Sequence, residues 1–291
     1  MALNQQSTIG NQQFVVRAYA KINLSLRVLG TRPDGYHELR TIFQSIALHD
    51  TLTIRAARGP FRLTCDDPNC PSDDTNLIWR AAEATWKAAR RKGAARDVAI
   101  DLQKRIPMHA GLGGGSSDAA AAVGVFAKLW GVDEVRAHAI GRELGADVPY
   151  FFEGGTVLGL ERGDLLFPLI DRPPAWVVLV FPPFGVSTKE AFAWWDARPI
   201  GARAFQATDH LVNDLEPVVS ERHPDIARIV TRLRKAGASQ AAMTGSGSTV
   251  FGLFRSRAAA TRAARALQAR SRQVHVTTLL NRVQYQRLAA I

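Results

Sequence analysis

P-M-H-A-G-L-G-G-G-S-S-D-A-A-A-A, residues 107 to 122, places four glycines within the five positions from Gly111 to Gly115 and follows them with Ser116, Ser117, Asp118 and an alanine run. Serine and aspartate are favoured helix N-cap types, and alanine is the strongest helix former. The stretch therefore predicts a glycine loop delivered onto a helix over 116–130, capped by Ser-Ser-Asp. Glycine admits positive φ and lets a ligand approach the backbone closely. A helix start offers unpaired N–H groups and the positive end of the dipole, which together bind phosphate. A nucleotide is the first ligand class this implies. A capped flexible turn needs no ligand, but four glycines in sequence exceed what a turn requires.

Two better-known phosphate loops are excluded. G-x-x-x-x-G-K-[ST] needs a lysine, and none lies between Gly111 and Ser117. A dinucleotide fingerprint needs a third glycine where Ser116 stands, and the acids Asp133 and Glu134 sit in a helical pattern rather than at a strand end.

Working outward, Ile22, Leu24, Leu26 and Val28 alternate with Asn23, Ser25 and Arg27, the period of a half-buried strand. Residues 39–56 and 61–65 read as further strands broken at Gly59-Pro60, 76–91 as a helix stopped by Gly93, and 97–105 as the strand entering the glycine loop. A second helix is predicted over 133–144, β structure after Gly154-Gly155, and a buried strand over 175–181. Ile226, Ile229, Val230 and Leu233 follow helical spacing within 224–236. A Gly245-Ser-Gly247 loop then separates two β-like runs and is a weaker second anion-binding candidate. An Arg-rich helix carrying Arg257, Arg262, Arg265 and Arg270 and a strand over 274–280 complete an α+β pattern with an antiparallel sheet.

The chain has 291 residues, 46% of them hydrophobic, enough for a full core. Its polar N-terminus lacks the basic and apolar regions of a signal peptide, and the longest apolar runs are too short to span a bilayer. Cys65 and Cys70 cannot alone make a zinc site and read as reduced thiols of a cytoplasmic protein. The net charge of +11 sits in residues 221–291, which carry 13 Lys/Arg against 2 Asp/Glu. With no aromatic platform among those arginines, a solvated helix face is favoured over RNA binding.

Three constellations carry chemistry. Lys21 and Asn23 share one strand face; alone this suits a surface lysine, but near a phosphate site a cation and an amide could orient a hydroxyl and steady transferring charge. Asp147, in Gly145-Ala-Asp-Val-Pro149, is a turn residue by type and a candidate base for an alcohol if paired with Lys21. In Arg32-Pro-Asp-Gly-Tyr36-His37 the Pro-Asp-Gly is turn chemistry, and the Tyr-His beyond it reads either as packing or, at a pocket mouth, as a ring to stack on a base and an imidazole to bond its edge.

The glycine loop, the second Gly-Ser-Gly loop and the N-terminal strand together resemble the GHMP kinases, the superfamily of galactokinase, homoserine kinase and mevalonate kinase. A-K-I-N-L-S-L at 20–26, R-P-D-G-Y-H-E-L-R-T-I-F at 32–43 and L-G-A-D-V-P at 144–149 are most similar to the branch that phosphorylates a cytidyl diphosphate in non-mevalonate isoprenoid synthesis. The P-G-K opening of the sugar and mevalonate members is absent. The likeness runs in order from about residue 14 to 285.

The resemblance implies an α+β, two-domain GHMP kinase fold, a ribosomal S5 domain 2-like ATP-binding domain followed by a ferredoxin-like domain; with the polar residues 1–13 read as a disordered tail and a boundary at Pro173-Pro174, these span 14–173 and 174–291. It implies Lys21 and Asp147 as the catalytic pair, with Asp147 taking the proton of the substrate's 2-hydroxyl. The ATP phosphates are then wrapped by Pro107, Met108, His109, Ala110, Gly111, Leu112, Gly113, Gly114, Gly115, Ser116 and Ser117, and Asn76 contacts adenine. His109 and Ala110 stand where many relatives carry glycine. Tyr36 and His37 clamp cytosine with Phe192 on the opposite face, and Asn23 lies beside the reacting hydroxyl. ATP is the expected co-substrate and Mg²⁺ the expected cofactor, with Ser117 a candidate ligand and no full ligand set assigned. A monomer or weak homodimer with no nucleic-acid or membrane partner is expected.

Overall fold

The computed structural model describes residues 13–198 and 212–289, so the tail expected over 1–13 lies outside them except for Gln13. The first half runs β1 (Gln13–Thr31), β2 (His37–Pro60), β3 (Arg62–Cys65), α1 (Leu77–Ala88), β4 (Arg96–Gln103), α2 (Gly114–Trp130), α3 (Glu134–Leu144), α4 (Tyr150–Glu153), β5 (Thr156–Glu161) and β6 (Leu165–Pro168). These strands form one sheet in the order β3-β4-β2-β5-β6, with β1 also paired to β2; β3 and β4 run parallel.

The second half runs β7 (Trp176–Phe181), α5 (Thr188–Asp196), α6 (Glu216–Arg222), α7 (Asp225–Lys235), β8 (Gln240–Met243), β9 (Val250–Phe254), α8 (Arg257–Leu267), β10 (Gln273–Thr278) and α9 (Arg282–Ala289). Its sheet is antiparallel, in the order β10-β7-β9-β8.

Strand β1 explains how the halves meet. Val16 and Ala18 join the core that α1 to α3 form on the first sheet, where Leu52, Ile54, Val123 and Phe126 are buried. Further along, Ala20, Ile22 and Leu24 pack against Val177, Leu179, Phe251 and Leu253 of the second sheet, and Ile106, Ala110 and Leu112 at the glycine loop join the same cluster. Leu26 and Val28 enter the core beneath α5 to α8. One strand thus feeds three cores. The strand expected to be half-buried is largely buried on both faces: of its alternating polar residues Asn23 and Arg27 are buried and Ser25 is half-buried, and Lys21 is buried beside them. Its polar face is roofed by the glycine loop and second half instead of by water.

Three further expectations are corrected. Helix α2 starts at Gly114, and its N-cap is Gly113 at φ 70° rather than Ser-Ser-Asp. Ser116 and Ser117 lie in its first turn and Asp118 just beyond it. Helix α1 ends at Ala88, short of Arg91, and Arg90 takes a left-handed φ of 57°. Arg270 lies beyond α8, so it does not share a helix with Arg257, Arg262 and Arg265. Elements α4, β6, α5, α6 and α9 have no counterpart in the sequence reading.

Candidate active site

Between the two halves opens a cleft of 1030 Å³, lined by the glycine loop, by Lys21 and Asn23, and by residues from both halves. The loop holds its shape by close backbone approach. Gly111 (φ 72°) lies so near the second loop that a Cβ would sit 2.3 Å from the Thr244 carbonyl oxygen. At Gly113 a Cβ would meet Phe151 at 2.8 Å. His109 adopts φ 53°, a left-handed conformation that favours glycine. The first-turn amides of α2, from Gly114 to Ser116, lack intrahelical partners as at any helix start, and these residues line the cleft at the positive dipole end.

Lys21 is the hub of the cleft. Its Nζ donates to Asn23 Oδ1 at 2.7 Å and to the Gly111 carbonyl at 3.1 Å, and it lies 3.4 Å from Asp147 Oδ2. The lysine side chain is buried, while a third of Asp147 remains accessible, 35%. A substrate hydroxyl can therefore reach the carboxylate from the cleft with the cation fixed behind it. Asn23 is pinned in turn: Nδ2 donates to Thr41 Oγ1 at 2.7 Å, and its backbone N–H donates to Thr244 Oγ1 at 2.8 Å. The structure thus brings Lys21, Asn23, Asp147 and the loop together.

Ser117 is not brought to the cleft. Its hydroxyl donates to the Tyr19 carbonyl at 2.7 Å in a buried position. Asn76 lines the cleft but serves as the N-cap of α1: Oδ1 accepts from Ile78 N at 2.9 Å, and Nδ2 donates to the Pro71 carbonyl at 2.7 Å. Tyr36 is exposed and stacks with the Arg162 guanidinium at 5.2 Å. His37 lies flat against Phe192, ring centres 4.4 Å apart, and its Nε2 is 2.9 Å from Asp196 Oδ1.

Several contributors have no sequence-level signal. Lys104 Nζ bonds both Asp50 Oδ2 (2.5 Å) and Asp118 Oδ2 (2.8 Å), a buried cluster beneath the loop. Burial pushes the Asp118 carboxyl up to about 7, against the pull of Lys104. Burial acts to lower the Lys104 ammonium, but Asp118 and Asp50 outweigh it and hold it above the usual lysine range. These partners stand far apart in sequence, so only the fold reveals them. Thr244 is adjacent to the Gly-Ser-Gly loop that the sequence singled out. That loop buttresses Gly111, and Asn213 secures it by donating to the Met243 and Gly245 carbonyls at 2.9 and 2.7 Å.

Residues 76–155 match the family described as GHMP kinases N terminal domain, and residues 195–273 the one described as GHMP kinases C terminal. Fold, cleft and family together define the class, a small-molecule kinase with the two-domain α+β fold that the resemblance implied. A 4-diphosphocytidyl-2-C-methyl-D-erythritol kinase of Solibacter usitatus is 43% identical over 267 residues, covering 85% of this chain and 83% of its own. Its namesake from Pelotomaculum thermopropionicum is 41% identical over 282 residues, covering 91% and 97%. The chain belongs to the 4-diphosphocytidyl-2-C-methyl-D-erythritol kinase family. A crystal structure of a 4-(cytidine 5'-diphospho)-2C-methyl-D-erythritol kinase matches with a TM-score of 0.78 at 35% identity, covering 91% of this chain and 99% of that one. A homoserine kinase of Cytophaga hutchinsonii shares the fold, with a TM-score of 0.69 at 20% identity over 98% and 99% of the two chains. Among the described residues no helix is long and apolar enough to cross a membrane.

Proposed function

We propose that the enzyme transfers the γ-phosphoryl group of ATP to the 2-hydroxyl of 4-diphosphocytidyl-2-C-methyl-D-erythritol, in line and without a covalent intermediate. The observation that carries this reading is Lys21, which touches Asp147 and the phosphate-loop carbonyl of Gly111 at once. Phosphoryl transfer through a loose transition state calls for positioning and charge neutralisation more than bond-making by the protein. Asp147 accepts the proton as the hydroxyl oxygen attacks, and Lys21 orients that carboxylate and offsets charge growing between the two reactants. Asn23 holds Lys21 on line. Tyr36 and Phe192 supply aromatic faces for cytosine, and His37 supplies an edge contact.

The residues also fit a magnesium ion. Mg²⁺ that travels with a nucleotide takes most of its octahedral shell from phosphates and water, needing only one or two protein carboxylates. Asp118 lines the cleft, and its Oδ1 is buried with no hydrogen-bond partner. Asp118, rather than Ser117, would hold the ion, which when bound would neutralise phosphate charge. Among the described residues no group of three or more acidic, histidine or cysteine side chains forms a metal cage. Asn76 shapes the wall at the adenine end, its side-chain oxygen capping α1 and its Nδ2 donating to the Pro71 carbonyl.

Phosphorus NMR of the reaction product tests the assignment. The expected product carries one new phosphomonoester on the methylerythritol 2-oxygen with the diphosphate intact. A phosphate placed elsewhere on the molecule contradicts it.

A further inference from the structure

The Gly-Ser-Gly loop between β8 and β9 takes no part in the transfer itself, yet the residue that opens it reaches the reacting cation. Thr244 is fully buried. Its hydroxyl oxygen accepts from the Asn23 backbone N–H at 2.8 Å, and its single proton faces the Asn23 side-chain oxygen at 3.4 Å and the Gly111 carbonyl at 3.3 Å. Those two oxygens are the ones that accept from Lys21 Nζ, at 2.7 and 3.1 Å. An ammonium has three donors; with two of them committed, the third is left for Asp147. Where Lys21 points is therefore set by where two oxygens stand, and both border one threonine hydroxyl from the other half of the molecule.

Thr244 is itself a fixed post. Its N–H donates to the Thr249 carbonyl at 2.9 Å, and its own carbonyl accepts from Gly247 N at 3.0 Å. On either side Asn213 Nδ2 holds the Met243 and Gly245 carbonyls, and Glu216 Oε2 accepts from Met243 N at 2.7 Å. A β-branched side chain on so constrained a backbone has few rotamers open to it. We propose that Thr244 is a positioning residue, whose hydroxyl holds the Asn23 and Gly111 oxygens where they aim Lys21 Nζ at Asp147, so that the second half of the molecule sets the geometry of the catalytic pair. This rests on the role of Lys21 proposed above. Misplacing a reacting group by an ångström costs about 10²-fold in rate, whereas binding of the two substrates draws on the whole cleft.

Thr244→Val tests it, because valine keeps the shape and removes only the hydroxyl. With kcat referred to folded protein, the variant is expected to lose at least about tenfold in kcat while KM for ATP and for the cytidyl substrate each stay within about threefold. Thr244→Ser, which keeps the hydroxyl, is expected to recover most of the kcat. Thr244→Cys, close in volume with a weak thiol donor, is expected between the two, and it carries the comparison if the valine variant does not fold. Residues that act as a unit are not additive, so in a Lys21→Met background the valine substitution is expected to change kcat by less than about twofold. A wild-type kcat in Thr244→Val, a loss carried by KM, equal losses in the serine and valine variants, or an undiminished loss in the Lys21→Met background overturns the proposal. A Lys21→Met enzyme that keeps the wild-type kcat instead overturns the reading of Lys21 on which it rests.

Discussion

Asp147 and Asp118 are two carboxylates set in different surroundings, and their surroundings divide the work. Asp147 is reachable from the cleft and faces the Lys21 ammonium; Asp118 is enclosed with Lys104 and Asp50. If Asp147 removes the hydroxyl proton, Asp147→Asn lowers kcat by about 10²–10⁴. A loss under tenfold in folded protein means that Lys21 and positioning suffice. Asp118 has a consequence for stability. Burial raises its carboxyl from the ordinary 3.8 to about 7, so between these values the native state holds a proton that the unfolded chain has released. The stability it contributes is fully present below pH 4 and is lost as pH rises through 7. The melting temperature of the wild type, taken relative to Asp118→Asn, is expected to fall between pH 5 and 8. A difference that stays constant across that window contradicts the raised carboxyl.

At the scale of elements, the two glycine-bearing loops are locked backbone to backbone. Gly111→Ala combines a left-handed φ with a methyl 2.3 Å from the Thr244 oxygen. Gly93→Ala has nearly the same φ, 71°, and nothing within 4 Å. Strain alone costs about 1–2 kcal/mol, so Gly93→Ala measures it and Gly111→Ala is expected to lose clearly more in urea unfolding. Equal losses would mean the loops are not locked. Much of this level is legible in the sequence. Most strands of both sheets, the longer helices and the glycine loop follow from alternation, helical spacing and turn residues. The start of α2 is not, because Ser-Ser-Asp suits an N-cap while its side chains have distant partners, Ser117 with Tyr19 and Asp118 with Lys104. The capping box at 187–190 is present as S-x-x-E, but only a short apolar pattern follows it, so α5 escapes notice. The Lys21–Asp147 pair is legible through resemblance. The Lys104 cluster, Thr244 and Asp196 are tertiary facts with no local pattern.

At the scale of the molecule, the cleft exists because β1 and the glycine loop share a core with the second sheet. Polar contacts cross the same seam: Arg27 with Asp214 at 2.9 Å, Gln240 Nε2 to the Leu24 carbonyl at 2.8 Å, and Leu280 N to the Ser45 carbonyl at 2.9 Å. We propose a domain boundary after residue 173; with this core in common the two units are expected to unfold together, in one calorimetric transition whose van't Hoff and calorimetric enthalpies agree. Two resolved transitions would show that the seam is weaker than its core implies. The most direct measurement of all is ADP release with Mg-ATP and 4-diphosphocytidyl-2-C-methyl-D-erythritol, run beside mevalonate, homoserine and galactose. Release with the cytidyl compound alone is the expected result. Release with one of the other alcohols, or with none from folded protein that binds ATP, would contradict the account.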